Sequence, residues 1–187
     1  MRKLAAFMML SVDGYFEGTT PWSIDWHSVD EEFNEFAIKQ LDANDLLVFG
    51  RATFLGMAQY WPSDDAVRND PEVAGRMNGT PKVVVSKTLE DGEAGWANTR
   101  VIRDLGDLSL LKREEGKGML LLGSSVLTAA VLAAGLLDEL RIMVSPVLLG
   151  AGNSFAQNPG HLHPLRLLGV RQFRNGNVLL TYAPRPV

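Results

Sequence analysis

The chain contains no cysteine. Disulfides, thiolate catalysis and cysteine-ligated zinc or iron–sulfur sites are therefore excluded. It also lacks an excess of positive charge: 18 Lys and Arg stand against 22 Asp and Glu, a net −4 at pH 7. With a pI near 5.4, it has neither the basic footprint of a general nucleic-acid binder nor the basic excess of a membrane-surface protein. Common signatures are missing too. No G-x-G-x-x-G follows a strand-like run, and there is no Walker A, H-E-x-x-H or G-x-S-x-G sequence. The opening Met1-Arg2-Lys3-Leu4 is followed by an apolar run only to Leu10, without a small-residue cleavage site. A cytoplasmic protein is the default expectation.

One long apolar stretch is present. Residues 118–137 carry no charge over 20 positions, enough to span a bilayer. Gly123-Ser124-Ser125 interrupts it and Asp138-Glu139 close it, so a strand, a tight turn and a buried helix explain it better. Hydrophobic residues make up 46% of the 187 and charged residues 21%, as in soluble globular proteins. With no repeat or flexible linker, residues 1–187 read as a single domain.

Strand-like runs occur at Lys3–Leu10, Asp45–Phe49, Lys82–Ser86, Thr99–Arg103, Met119–Leu122 and Glu139–Leu148. Between them, helical spacing predicts helices over roughly 30–42, 51–60, 107–115 and 124–134. Ser28-Val29-Asp30-Glu31 has capping-box spacing for the first helix. Residues 62–80 read as a polar excursion with at most one short helix. Leu165–Arg174 and Asn177–Ala183 flank Asn175-Gly176, a strong hairpin signal. Strand–helix alternation followed by strands alone predicts an α/β fold: a mostly parallel twisted sheet, helices on both faces and a C-terminal antiparallel hairpin.

In such a sheet ligands bind beyond the carboxyl ends of the strands, and three junctions there carry phosphate-friendly residues. Gly50-Arg51-Ala52-Thr53 opens a helix, so free N–H groups, a guanidinium and a hydroxyl converge. Ser86-Lys87-Thr88 follows the β-branched run with a hydroxyl and an ammonium, a pattern also found in ordinary polar turns. Leu122-Gly123-Ser124-Ser125 leads into a second helix, where Ser124 can serve as N-cap, as ligand donor, or as both. Together the three suggest an extended ligand with several phosphates, such as a dinucleotide. Asp13, in Ser11-Val12-Asp13-Gly14, is a candidate to hold or donate a proton at the same edge; an Asp-Gly turn is the alternative. Trp22 and Trp26 can wall a pocket for a flat ring or simply pack on the core. His161 and His163 lie two apart beside prolines, with no carboxylate cluster to complete a shell, so no metal site is expected.

These segments, in this order, resemble the reductase domain of riboflavin biosynthesis (the RibD C-terminal domain) and its stand-alone relatives, which share the dihydrofolate reductase-like fold. The matching stretches are Met9–Tyr15, Phe49–Phe54, Val85–Leu89, Leu122–Ser125 and Gly135–Leu140, followed by Ser145–Gly152. The resemblance implies NADPH as cofactor and hydride transfer to a small heterocyclic or imine-like substrate of the pyrimidine or pterin type. It places Gly50, Arg51 and Thr53 on the cofactor phosphates and Ser86 and Lys87 near the adenosine 2′-phosphate. Gly123, Ser124, Ser125 and Val126 would cradle the diphosphate. Asp13 and Gly14 would lie near the reaction centre; Gly14, with Trp22 from the reading of the residues above, is the candidate for the substrate side. It also implies a homodimer, with the apolar strand near Ile142–Val147 as interface. Two departures stand out. Relatives often carry Gly-Gly where this chain has Gly123-Ser124, and folate-reducing enzymes carry an acid in the first helix near Asn34, here flanked by Glu31, Glu32 and Glu35. The alternatives left by the residues are a nucleotide-binding module without turnover, and a doubly wound domain for another phosphorylated ligand such as FMN.

Overall fold

The computed structural model describes residues 1–90, 95–155 and 163–185. Ten strands and six helices are defined there. Strands β1 (Leu4–Ser11), β3 (Asn44–Gly50), β4 (Lys82–Val85), β5 (Thr99–Ile102), β6 (Gly118–Leu122) and β7 (Glu139–Ser145) run parallel. The hairpin β9 (Leu165–Gln172) and β10 (Val178–Pro184) completes one eight-stranded sheet. Its order is β5-β4-β3-β6-β1-β7-β10-β9, with β10 antiparallel to both neighbours. Pro146 removes a ladder donor, so β7 stops at Ser145, short of the expected 148.

Side chains alternate between two cores along each parallel strand, as a sheet covered on both faces requires. Ala5 and Phe7 of β1 enter the first core, and Leu4 and Ala6 the second. Helices α1 (Glu31–Asp42), α2 (Arg51–Tyr60) and α4 (Pro71–Gly79) cover the first face through Phe33, Phe54 and Met77. Helices α5 (Leu105–Arg113) and α6 (Ser125–Ala133) cover the second through Leu108 and Val131. The uncharged stretch 118–137 thus resolves into β6 and α6. Among the described residues no helix is long and apolar enough to cross a membrane.

Two local expectations are corrected. The cap of α1 is Asp30, whose carboxylate accepts from Phe33 N–H at 2.9 Å, not Ser28. The Ser28 carbonyl instead accepts from the Asn175 and Asn177 side chains at 3.1 and 2.8 Å, tying the approach to α1 onto the hairpin. Residues 62–80 hold two helices rather than at most one: α3 (Asp64–Asn69), capped by Ser63, and α4, which opens on Pro71. Two very short strands, β2 (Tyr15–Glu17) and β8 (Asn153–Ser154), pair separately from the main sheet. Asn78 donates to the Trp61 carbonyl at 2.9 Å and accepts from the Trp96 indole at 2.8 Å.

Candidate functional site

The carboxyl ends of the parallel strands form a step. Val85 of β4 is level with Gly50 of β3, and Leu122 of β6 is level with Phe7 of β1. Beyond that level β1 continues through Met8, Met9, Leu10 and Ser11, paired only with β7 on its other side. Four residues of strand rise about 13 Å at about 3.3 Å each. A ledge made by the ends of β4, β3 and β6 therefore abuts a wall made by β1. Adjacent strands β3 and β6 send their following helices to opposite faces, so the ledge contains the topological switch point of the sheet.

Two of the three junctions touch there. A Cβ on Gly50 would overlap the Ser124 hydroxyl, and one on Gly123 would lie 3.0 Å from the Thr53 methyl. The first contact requires glycine at 50. Gly123 and Ser124 are both left-handed, with φ of +61° and +56°. For a serine this costs about 1–2 kcal/mol. Ser124 occupies the N-cap position of α6 yet makes no side-chain cap bond. Gly50 likewise leaves α2 without one. Neither helix has an acidic residue in its first turn, whereas α1, α3 and α5 are each capped by a side chain and begin with acids. Two uncapped helix N-termini thus face one crevice, and their free N–H groups and dipoles favour an anion. Arg51 and Lys87 are exposed at this edge; Thr53 and Ser125 are half-buried and Val126 is exposed.

The third junction is already partly committed to its own turn. Ser86, 7% exposed, accepts from Leu89 N–H at 3.0 Å and Thr88 N–H at 3.3 Å. Arg103, unremarked in the sequence, donates to the Ser86 and Leu89 carbonyls at 3.1 and 2.6 Å and braces that turn. Lys87 and Thr88 beside it are exposed.

Asp13 stands at the top of the wall. Its carboxylate accepts from the Ser11 hydroxyl at 2.6 Å and from Gly150 and Leu149 N–H at 2.8 and 3.2 Å. These bonds, the Ser11 hydroxyl first and the Gly150 amide next, hold its pKa down to about 2. It is an anion at neutral pH that anchors the 146–152 loop. Gly14, at φ +84°, makes the turn below it, and its carbonyl accepts from Phe155 N–H at 3.1 Å.

Trp22 lies in the loop between β2 and α1. Its indole packs onto α2 where a Cβ on Gly56 would overlap it. Its φ is +63°, and it is 44% exposed. Nothing local in the sequence signalled this contact. Trp26 instead donates to the Ser23 carbonyl at 3.0 Å and packs edge-on against His27. Burial pushes the His27 imidazole down to about 4, and its Nε2 has no partner among the described residues. On α1, Asn34 donates to Asp70 at 2.8 Å and Glu32 is turned to Arg171 and Arg174. Glu31 and Glu35 are exposed. Among the described residues no three His, Asp or Glu are grouped to hold a metal; His161 lies outside them. A cavity of about 450 Å³ exists, but at the opposite, amino end of β3, β4 and β5, among Arg2, Lys82, Thr99, Arg100 and Glu114.

The sequence profile of the RibD C-terminal domain matches residues 2–179. The chain belongs to the RibD C-terminal domain family. A curated relative, the Bacillus subtilis (strain 168) protein YyaP, is 26% identical over 185 residues, covering 97% of this chain and 94% of that one, and is itself described as uncharacterized. A putative riboflavin biosynthesis protein from Shewanella sp. PV-4 superposes with TM-score 0.75 at 22% identity, covering 98% and 99% of the two chains. Acinetobacter baumannii RibD gives 0.67 at 15% identity; it covers all of this chain, which spans 59% of that protein. Enterococcus faecalis dihydrofolate reductase, solved with NADP(H) and RAB-propyl, gives 0.63 at 16% identity over 98% and 97% of the chains. The fold of this RibD C-terminal family member is dihydrofolate reductase-like.

Two outcomes test the site's construction. Ser124→Gly removes left-handed strain and is expected to raise stability by about 1 kcal/mol in denaturant titration. Gly50→Ala is expected to destabilise the wild type, and less so with Ser124→Gly beside it, a coupling a double-mutant cycle reads directly. His27 sets a pH dependence. Its folded-state pKa lies below the unfolded value of 6.5, so the unfolded chain binds the proton first. Stability is then full above about pH 6.5 and falls by up to about 3 kcal/mol on approach to pH 4. His27→Phe is expected to flatten that slope in thermal melts at stepped pH.

Proposed function

We propose that the chain is an NADPH-dependent reductase transferring hydride to a small heterocyclic or imine-like substrate of the pyrimidine or pterin type. The observation that carries this reading is the meeting of two uncapped helix N-termini on the ledge, at the switch point, beside a taller strand wall. The residues present fit a dinucleotide. Gly50, Arg51 and Thr53 at α2, and Gly123, Ser124, Ser125 and Val126 at α6, would hold its phosphates. Lys87, beside the braced Ser86 turn, would face the 2′-phosphate that separates NADPH from NADH. When bound, the cofactor supplies the hydride.

The chain's own part is orientation and exclusion of water. On the wall, parallel alternation aims the Met9 N–H and C=O past the end of β6, where no strand pairs with them. They offer a donor–acceptor pair to an amide or ring edge. Asp13 fixes the 146–152 loop over the wall through the Leu149 and Gly150 amides, with Gly14 and Trp22 on the substrate side. Its role is positioning. The α1 carboxylates Glu31, Glu32 and Glu35 are exposed or paired to the hairpin, which supports a substrate other than folate. The reading keeps the cytoplasmic setting expected from the sequence.

A homodimer is part of the same reading. Cross-strand pairing lines up Ile142, Leu180 and Val170, with Tyr182 and Leu167 beside them, on the second face. Val170 and Leu167 on the edge strand are 60% and 51% exposed. An apolar edge of this kind is ordinarily covered.

Three experiments follow. Arg51→Ala is expected to raise the NADPH dissociation constant about tenfold or more, the scale of a lost charge-assisted pair. It should affect NADH about as much, whereas Lys87→Ala should weaken NADPH more than NADH; equal loss for both cofactors in Lys87→Ala contradicts the 2′-phosphate assignment. NADPH binding without oxidation across pterins, flavins and pyrimidine ribosides would favour a binding module. Light scattering is expected to show a wild-type dimer and a monomeric Val170→Glu variant; a monomeric wild type contradicts the dimer.

A further inference from the structure

Two locally unfavourable features meet at one contact. Gly56 sits inside α2, where glycine is a poor helix former, and Trp22 adopts a left-handed backbone that bulky residues avoid. Each accounts for the other: a Cβ at 56 would overlap the indole. The left-handed backbone at 22 is held by Glu17, whose Oε2 accepts from Trp22 N–H at 2.9 Å. Glu17 Oε1 accepts from the Asn153 amide at 2.7 Å, and β2 pairs with β8 at this point. The Trp22 main chain is thus fixed from one side and its ring from the other, although Trp22 belongs to neither core.

Topology says what this tie does. The segment after β1 must pass over the end of β6 to reach α2, because β6 lies between β1 and β3. Trp22 thereby lies against α2, the helix whose N-terminus opens on the ledge. We infer that Gly56 and Glu17 are positioning residues that hold the Trp22 indole as the side wall of the substrate end, a flat surface suited to a conjugated ring. The inference rests on the reductase reading and deepens it.

Tryptophan emission tests it in two arms, on the full chain. In the ligand-free protein, Gly56→Ala is expected to evict the indole and raise quenching by acrylamide, with no rise when Trp22→Phe is also present. Glu17→Ala should act in the same direction, and Glu17→Gln, which keeps a carbonyl acceptor, should restore most of the wild-type value. A thermal melt verifies that each variant is folded, and alanine at 56 suits a helix. With NADPH bound, energy transfer from tryptophan to the dihydronicotinamide is expected to drop in Trp22→Phe, and equally in Gly56→Ala, while the NADPH dissociation constant changes little. Unchanged acrylamide quenching in Gly56→Ala overturns the positioning role by itself. Unchanged energy transfer in Trp22→Phe, with NADPH bound normally, overturns the wall. A wild-type chain that binds no NADPH removes the underlying reading and the wall with it, and is distinguished by the missing binding isotherm.

Discussion

The close approach of Gly50 to Ser124 governs this molecule. It allows β3 and β6 to lie side by side while the chains leaving them turn to opposite faces. Without a side chain at 50 the Ser124 hydroxyl fits against the start of α2. The consequence is that two helix N-termini, neither capped by its own side chain, open at the same point. The chain accepts left-handed strain at Ser124 to achieve this. Strain of that kind persists where surrounding structure over-determines it, and here the two flanking strands and the Thr53–Gly123 contact do so.

The remaining features serve the step beside this point. β1 rises above the ledge and is secured at its top by the Asp13 carboxylate on two backbone amides. Because those bonds hold the Asp13 pKa at about 2, the anchor persists from neutral pH well into acid and weakens only as pH falls from about 4 toward 2. The charge of Asp13 is thereby spent on geometry. Two exposed cationic groups, Arg51 and Lys87, lie on the ledge, and Glu31, Glu32 and Glu35 of α1 are turned to solvent or to the hairpin. This division suits an anionic ligand on the ledge and a neutral, flat one against the wall.

The parts of this arrangement legible in the sequence were those written in local patterns. The β-branched run at Val83–Val85, the Asn175-Gly176 turn and the apolar periodicity of the helices each follow from neighbours within a few residues. The three junctions were visible because glycine, serine and basic residues punctuate strand ends. What escaped was either too short or too distant for any local pattern. Strands β2 and β8 span three and two residues and exist only because they find each other. The Trp22–Gly56 contact joins positions separated by α1 and β3. Ser28 had the right spacing for a cap, but the hairpin asparagines took its carbonyl and the nearer carboxylate of Asp30 took the helix end. Asp13 was visible as a candidate, yet its role depends on amides at 149 and 150, which only the fold brings to it.

The most direct test of this account is where NADPH binds. Backbone amide chemical shifts of the labelled protein, recorded with and without NADPH, report that position without any substrate. The account predicts the largest shifts at Gly50–Thr53 and Gly123–Val126, with smaller ones at Ser86–Lys87. Shifts centred instead on Arg2, Lys82 and Arg100 at the opposite end of the sheet, or none at saturating NADPH, would contradict it.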